Sequence, residues 1–312
     1  MRVPSFLLAL AGLAACWACG DKPRPLFGDA GTSADTDTGP PFDCSTVPDA
    51  PLSVEQLVGP IGYHDLAFDN GGFMVGAGDM GSQLFKADSS GSTAPFGPSI
   101  SGVQGMDYLP NGSLVAASSS SGLVRITPDG TQTPLNASLV NVYGVIVGPD
   151  GMVYAADNSI LYRVNPTTGD TETLLSSGTV APRAIEFSPD GTRMYIASFC
   201  TEKVFVAELD GNYDIVGEPT EFATIPGSCW EDGIGVDVCG NVYIPVYGLS
   251  TLFRISPEGV VTNYHQFDSA TYGHGLDWGN GVGVWDDRIL YQPQPYNGCT
   301  VVALDIGVPY RE

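Results

Sequence analysis

Basic residues are scarce in this chain. Lysine and arginine together number 12 of 312 residues against 35 aspartates and glutamates, for a formal net charge of −23. So acidic a chain repels phosphate, which argues against nucleic acid as a partner and leaves no polybasic patch for a membrane surface. Several chemistries have no sequence support. There is no EF-hand loop or glycine-rich calcium repeat, no phosphate loop, no G-x-S-x-G elbow and no H-E-x-x-H helix. The five cysteines of the body, Cys44, Cys200, Cys229, Cys239 and Cys299, show no C-x-x-C or Cys/His zinc spacing, so structural zinc is not expected. The apolar run from Phe6 to Ala15 is too short to span a bilayer.

Glycine, by contrast, is abundant, at 40 residues, and it is periodic. One phrase recurs six times: a variable residue, a small one, an apolar alternation and a turn ending in Gly. The copies open at His64, Gln104, Tyr143, Arg183, Asp232 and His274, spaced 40, 39, 40, 49 and 42 residues apart. Repeats of that length, built from short alternating strands between Gly turns, predict the blades of a β-propeller, with four antiparallel strands each. The expected fold is therefore all-β, one six-bladed propeller over residues 42–312. Much of the acidity has a local explanation, because Asp suits the turns at Asp129, Asp150, Asp190 and Asp210.

After each opening strand comes a second, such as Met152 to Ala156, and then a third carrying a basic residue: Lys86, Arg125, Arg163 or Arg254. These cations read as solvated or interblade salt-bridging residues. Blade six runs out of chain after Val301 to Leu304, while Leu52 to Val58 resembles a fourth strand without a blade of its own. Pairing the two would close the ring and cover an exposed edge. The 49-residue step predicts a longer outer hairpin in blade four, near Asn212 to Pro219.

The N-terminus reads as an export signal over residues 1–15, with Arg2, an apolar run and then Leu13-Ala-Ala-Cys16. Small residues before a cysteine resemble the lipobox of bacterial lipoproteins, which makes Cys16 the expected lipidation site. Residues 16–41, rich in Gly, Asp, Thr and Pro, read as a disordered tether. The expected location is the bacterial cell envelope, at the outer membrane or the periplasmic face, with the membrane met only through the lipid. Export permits disulfides, and Cys200 with Cys229 is the expected pair; spacing alone does not assign the others.

In a propeller the innermost strand of each blade lines the channel, so the six openers should share one polar mouth. Blades five, six and one become neighbours on closure, bringing Asp232, His274 and His64 together as a set able to hold a divalent cation. Arg183, one blade from Asp232, could instead pair with it and leave the histidines as neutral hydrogen-bonding groups. Gln104, Tyr143 and Arg183 are candidate ligand-binding residues. Trp230 lies at the same rim, to cover a ligand or to cap the local core, whereas His265 falls on an outer strand, away from the channel. Ser118 to Ser121 reads as a turn.

The phrases Pro182-Arg-Ala-Ile-Glu-Phe-Ser-Pro-Asp-Gly191 and Glu231-Asp-Gly-Ile-Gly-Val-Asp-Val-Cys-Gly-Asn-Val-Tyr243 resemble the senescence marker protein, gluconolactonase and luciferin-regenerating enzyme family, over roughly residues 52 to 312. NHL-repeat propellers share such phrases. The resemblance implies a six-bladed propeller with one divalent cation in its channel, hydrolysing sugar lactones or related esters, and it makes Asp232 a metal ligand and general base. Two positions depart from the family pattern: His64 stands where the family carries a ligand glutamate, and Arg183 where it carries a ligand asparagine. The expected function is thus binding of a small-molecule or extracellular ligand at the channel mouth by a monomer without the family's lactonase activity. Metal-dependent hydrolysis or elimination, and a protein-interaction platform using the rim loops, are the alternatives.

Overall fold

The computed structural model describes residues 41–57, 59, 61–78, 81–176, 178–229, 231–267, 274–296 and 298–310. The signal segment, Cys16, Cys19 and Trp230 lie outside the described residues.

Among the described residues, alternation of apolar and polar residues between turn signals produces twenty-four short strands in six four-stranded sheets. The first strand, β1 (Ser53–Leu57), precedes blade one, which comprises β2 (Leu66–Phe68), β3 (Met74–Ala77), β4 (Leu84–Ala87) and β5 (Thr93–Phe96). Blade two follows with β6 (Val103–Tyr108), β7 (Leu114–Ser118), β8 (Gly122–Ile126) and β9 (Gln132–Asn136). Blade three has β10 (Gly144–Val147), β11 (Val153–Ala156), β12 (Ile160–Val164) and β13 (Thr171–Ser176). Blade four has β14 (Pro182–Phe187), β15 (Arg193–Ser198), β16 (Lys203–Leu209) and β17 (Ile215–Thr224). Blade five has β18 (Gly235–Val236), β19 (Val242–Val246), β20 (Thr251–Ile255) and β21 (Val261–Gln266), and blade six has β22 (Asp277–Trp278), β23 (Ile289–Gln294) and β24 (Thr300–Asp305).

Blade six takes its fourth strand from the other end of the chain. β1 pairs antiparallel with β24 from Ser53 opposite Asp305 to Leu57 opposite Val301. A disulfide reinforces this closure: Cys44 bonds Cys239, their Cα atoms 5.6 Å apart, tying the segment before β1 to the turn between β18 and β19 in blade five. Sequence spacing did not assign that bridge, because its partners lie 195 residues apart. Cys200 bonds Cys229, and Cys299 is buried and keeps its thiol, which donates to the Pro295 carbonyl at 3.5 Å.

Aspartates hold the turns, as at Asp150, which accepts the Met152 amide at 3.0 Å, and Asp210, which accepts that of Asn212 at 2.8 Å. In the turn between β10 and β11, Gly151 sits at φ +74°, where a side chain would be strained. The extra length of blade four goes into β17, ten residues long and paired to β16 with two register shifts. Third-strand cations reach across seams: Arg163, which pairs with Glu172 of its own blade, also pairs with Asp214 of blade four, each at 2.7 Å, and Arg125 donates to the Pro166 carbonyl of blade three. Lys86 instead pairs within blade one, with Asp69 at 2.6 Å.

Each seam between blades has its own apolar core. Val115, Ala117, Val145 and Val153 fill that between blades two and three, and Leu66, Phe68, Trp285 and Tyr291 that between blades six and one. Near the axis the inner strands approach too closely for side chains. A Cβ on Gly105 would stand 2.5 Å from the Tyr143 carbonyl oxygen, one on Gly144 2.4 Å from that of Arg183, and one on Gly233 2.5 Å from that of His274. Those contacts explain why five of the six repeat openers, all but His64, are followed by Gly or Ala: Gly105 donates to the Tyr143 carbonyl at 2.7 Å, and Gly275 to that of His64 at 2.7 Å.

Gly144→Ala is therefore expected to lower the free energy of unfolding by about 1–3 kcal/mol through overpacking. Gly211→Ala, with nothing within 4 Å of its added Cβ, should leave it unchanged. Denaturant titration of both variants checks this, and equal stabilities would contradict the close approach.

Candidate functional site

Because the glycines let neighbouring inner strands meet, openers distant in sequence become contacts. Asp232 lies at the centre, its side chain wholly enclosed. Arg183 Nε donates to Asp232 Oδ1, and His274 Nδ1 stands 2.6 Å from Oδ2. The latter contact is close but bent, so neither atom has an aligned hydrogen-bond partner. The His64 and His274 ring centroids are 4.5 Å apart, and one ligand atom from each of His64, Asp232 and His274 lies within 4.8 Å of the others. The Arg183 guanidinium also stacks 3.6 Å from the Tyr143 ring centroid and 5.0 Å from that of Phe199, and donates to Asn158 Oδ1 at 3.3 Å.

His64, Arg183, Asp232 and His274 are all buried. Gln104 and Tyr143 are half-buried, and Gln104 makes no side-chain hydrogen bond among the described residues. Covering groups come from elsewhere: the Tyr247 ring packs edge-on to His274 at 5.2 Å, and that of Tyr296 lies 6.3 Å away. His265, on β21, is far from this group in the blade and stacks on Phe267 instead. Ser118 ends β7, and its hydroxyl donates to the Ser101 carbonyl at 2.6 Å.

Burial sets the charge states. It pushes the His64 pKa down to about 3, assisted by His274 and Arg183, so the imidazole is neutral at pH 7. Burial also works against the ionised form of Asp232, but the His274 contact and the positive potential of the other neighbours outweigh it, and the carboxyl stays well below the usual range. Two neutral-capable imidazoles and a carboxylate suit a borderline cation such as Zn²⁺ in donor type. A guanidinium in contact with the carboxylate opposes any divalent ion there. The oxygen-donor set that the resemblance implied is not present, since positions 64 and 183 carry an imidazole and a guanidinium, and a cation bound in that manner does not fit.

The opposite half of the channel has different chemistry. From Asp232 and Tyr143 a cavity of about 430 Å³ runs towards the turns between first and second strands, ending at Asn70, Pro110, Gly148 and Asn280. Asp65, Asp107, Glu186 and Asp277 line it, without Lys, Arg or His among the described lining residues. Three of the acids, Asp107, Glu186 and Asp277, occupy the fourth position of their repeats in alternate blades, a regularity legible in the sequence but masked by the many turn aspartates. Backbone amides serve them: Asp65 accepts that of Met106 at 2.9 Å and Asp107 that of Val147 at 2.6 Å, linking blades one to two and two to three. Tyr310 donates to Glu186 Oε2 at 3.3 Å.

These carboxyls touch the cavity yet sit deep in the protein. Burial, with Asp107 nearby, raises Asp65 to about 7; burial, then Asp107 and Asp65, raises Asp277 well above the carboxylate range. A carboxyl whose folded pKa is raised contributes fully at low pH and costs stability as pH climbs towards that folded value. Asp277→Asn keeps the acceptor for the Trp278 amide, at 2.8 Å from Oδ1. This variant should therefore melt above the unsubstituted protein at pH 8, with the difference narrowing at pH 5. Thermal melts at both values check this, and a shift independent of pH would contradict it.

Comparisons with known proteins agree with this architecture. A gluconolactonase of Xanthomonas campestris superposes with TM-score 0.70 at 15% identity, covering 90% of this chain and 99% of its own. Regucalcin of Agrobacterium tumefaciens, a calcium-binding protein, superposes at 0.65 with 17% identity over 81% of this chain and 92% of its own. An auxiliary nutrient binding protein of Bacteroides thetaiotaomicron superposes at 0.64 with 14% identity over 81% and 70%. At such identities these likenesses establish the fold alone. Among curated proteins none matches the sequence. A model of the SMP-30/Gluconolactonase/LRE-like region matches residues 114–271, more than half of the chain, and the chain therefore belongs to that family of lactonase-like propellers.

Proposed function

We propose that this protein is a lipid-anchored, extracytoplasmic propeller that binds a small ligand at the end of the channel where His64, Tyr143, Arg183, Asp232 and His274 meet, without family-type lactonase turnover. One observation carries this reading: the Arg183 guanidinium rests on the Asp232 carboxylate. A general base works best with a pKa near the working pH. Asp232 is held far below that range and is directed onto a neighbouring cation. The site thus retains polarity for recognition and little basicity for hydrolysis. The fold is one it shares with a protein described as an auxiliary nutrient binding protein. Anchoring through Cys16 rests on the N-terminal sequence, and loss of Cys16→Ser protein from the membrane fraction of expressing cells is the expected sign of it.

A divalent ion at His64, Asp232 and His274 is the second reading, favoured by the convergence of their ligand atoms within 4.8 Å. There the ion would supply Lewis acidity. Elemental analysis of protein purified without chelator, with assay of δ-gluconolactone hydrolysis, separates the two. The binding reading expects substoichiometric metal and no turnover above buffer. One bound ion per chain, lost in His64→Ala, together with hydrolysis, would overturn it.

A further inference from the structure

The residues that follow the second strand of each blade differ sharply around the ring. In blades one, two and three they are Gly78, Ser119 and Asp157; in blades four, five and six they are Phe199, Tyr247 and the Pro295-Tyr296 pair. Half of this end of the channel is therefore aromatic. Its rings form a ladder from the buried cluster outwards: His64 to His274 at 4.5 Å between centroids, His274 to Tyr247 at 5.2 Å, and Tyr247 to Tyr296 at 6.1 Å. Tyr296, the last rung, is 62% exposed, second only to Leu52 among the large hydrophobic side chains of the described residues, most of which are buried.

Charge on this ladder is cancelled. Arg183 and Asp232 pair beside the ladder and neutralise one another. Arg183 is committed as a donor, since it donates to Asp232 Oδ1 and to the Asn158 amide oxygen. Recognition of a polyol requires several such groups with capacity to spare. Recognition of a flat, uncharged ring requires aromatic faces, because offset or edge-to-face contacts between rings are favourable beyond the area they bury.

We propose that the ligand class of this site is a neutral aromatic ring, with Tyr296 and Tyr247 as the specificity-determining side chains. The proposal rests on the binding reading above and adds the chemistry of what is bound. Coumarin, an uncharged fused aryl ring, and methyl β-D-glucopyranoside, an uncharged polyol ring, are the two test compounds, each titrated calorimetrically into the full chain. Coumarin is expected to bind and the pyranoside not to. Tyr296→Ala should weaken coumarin about tenfold, the equivalent of one aromatic contact, while Tyr296→Phe keeps the affinity. Because Tyr296 is exposed, an unchanged melting temperature should confirm that the alanine variant is folded. Pyranoside binding that falls in Arg183→Met but not in Tyr296→Ala would preserve the binding site and overturn its aromatic specificity. Coumarin affinity unchanged in Tyr296→Ala would also overturn it. Failure of both compounds to bind would overturn the specificity and the binding reading together.

Discussion

The contact between neighbouring inner strands governs this molecule. At Gly105, Gly144, Gly233 and Gly275 no Cβ intervenes, and the amide of one blade can reach the carbonyl of the next. Six sheets joined farther out by apolar seams and a few polar links are thereby drawn onto a common axis. The side chains of Tyr143, Arg183, Asp232, His274 and His64 then meet from one blade to the next. Blade one departs from this rule, carrying Asp65 where blade four carries Ala184 and the other four carry glycine. Its carboxylate substitutes for a backbone approach by accepting the Met106 amide of blade two.

That convergence forces charge into the interior, and the two halves of the channel resolve it differently. At one end Arg183 faces Asp232, and the pair is buried with its charge compensated. At the other, Asp65, Asp107, Glu186 and Asp277 face one another around a cavity without a described cation side chain. Buried like charges repel and raise each other's pKa, so this half holds protons that the other does not need. A single channel thus joins a compensated aromatic end to an acidic one. His64 and Arg183, the two positions at which the sequence departs from the pattern that the resemblance implied, fall in the compensated end.

The architecture was legible because its signals are local and repeated: a Gly turn, an alternating strand and a fixed period. Leu52 to Val58 stood out as a fourth strand without a blade, and β1 occupies that place. Meeting of His64, Asp232 and His274 followed from blade order alone, as did the pairing of Arg183 with Asp232 that was weighed against a metal. Three features were not legible. Arg183 and His274 are covered by Phe199, Tyr247 and Tyr296, which come from hairpins unrelated to the repeat phrase. The Cys44–Cys239 bridge depends on where the N-terminal segment crosses blade five, which no spacing encodes. The acidic half of the channel was hidden because an aspartate on an inner strand looks, in composition, like an aspartate in a turn.

The claim that openers of separate blades meet and neutralise one another is tested most directly by a double-mutant cycle on stability, with Arg183→Met, Asp232→Asn and the pair combined. Removing one partner of a buried ion pair leaves the other uncompensated, at a cost of about 3–5 kcal/mol. The double variant should therefore lose clearly less than the sum of the single losses, with a coupling of about 1 kcal/mol or more. Strictly additive losses would mean that the two side chains do not meet, and would contradict the account.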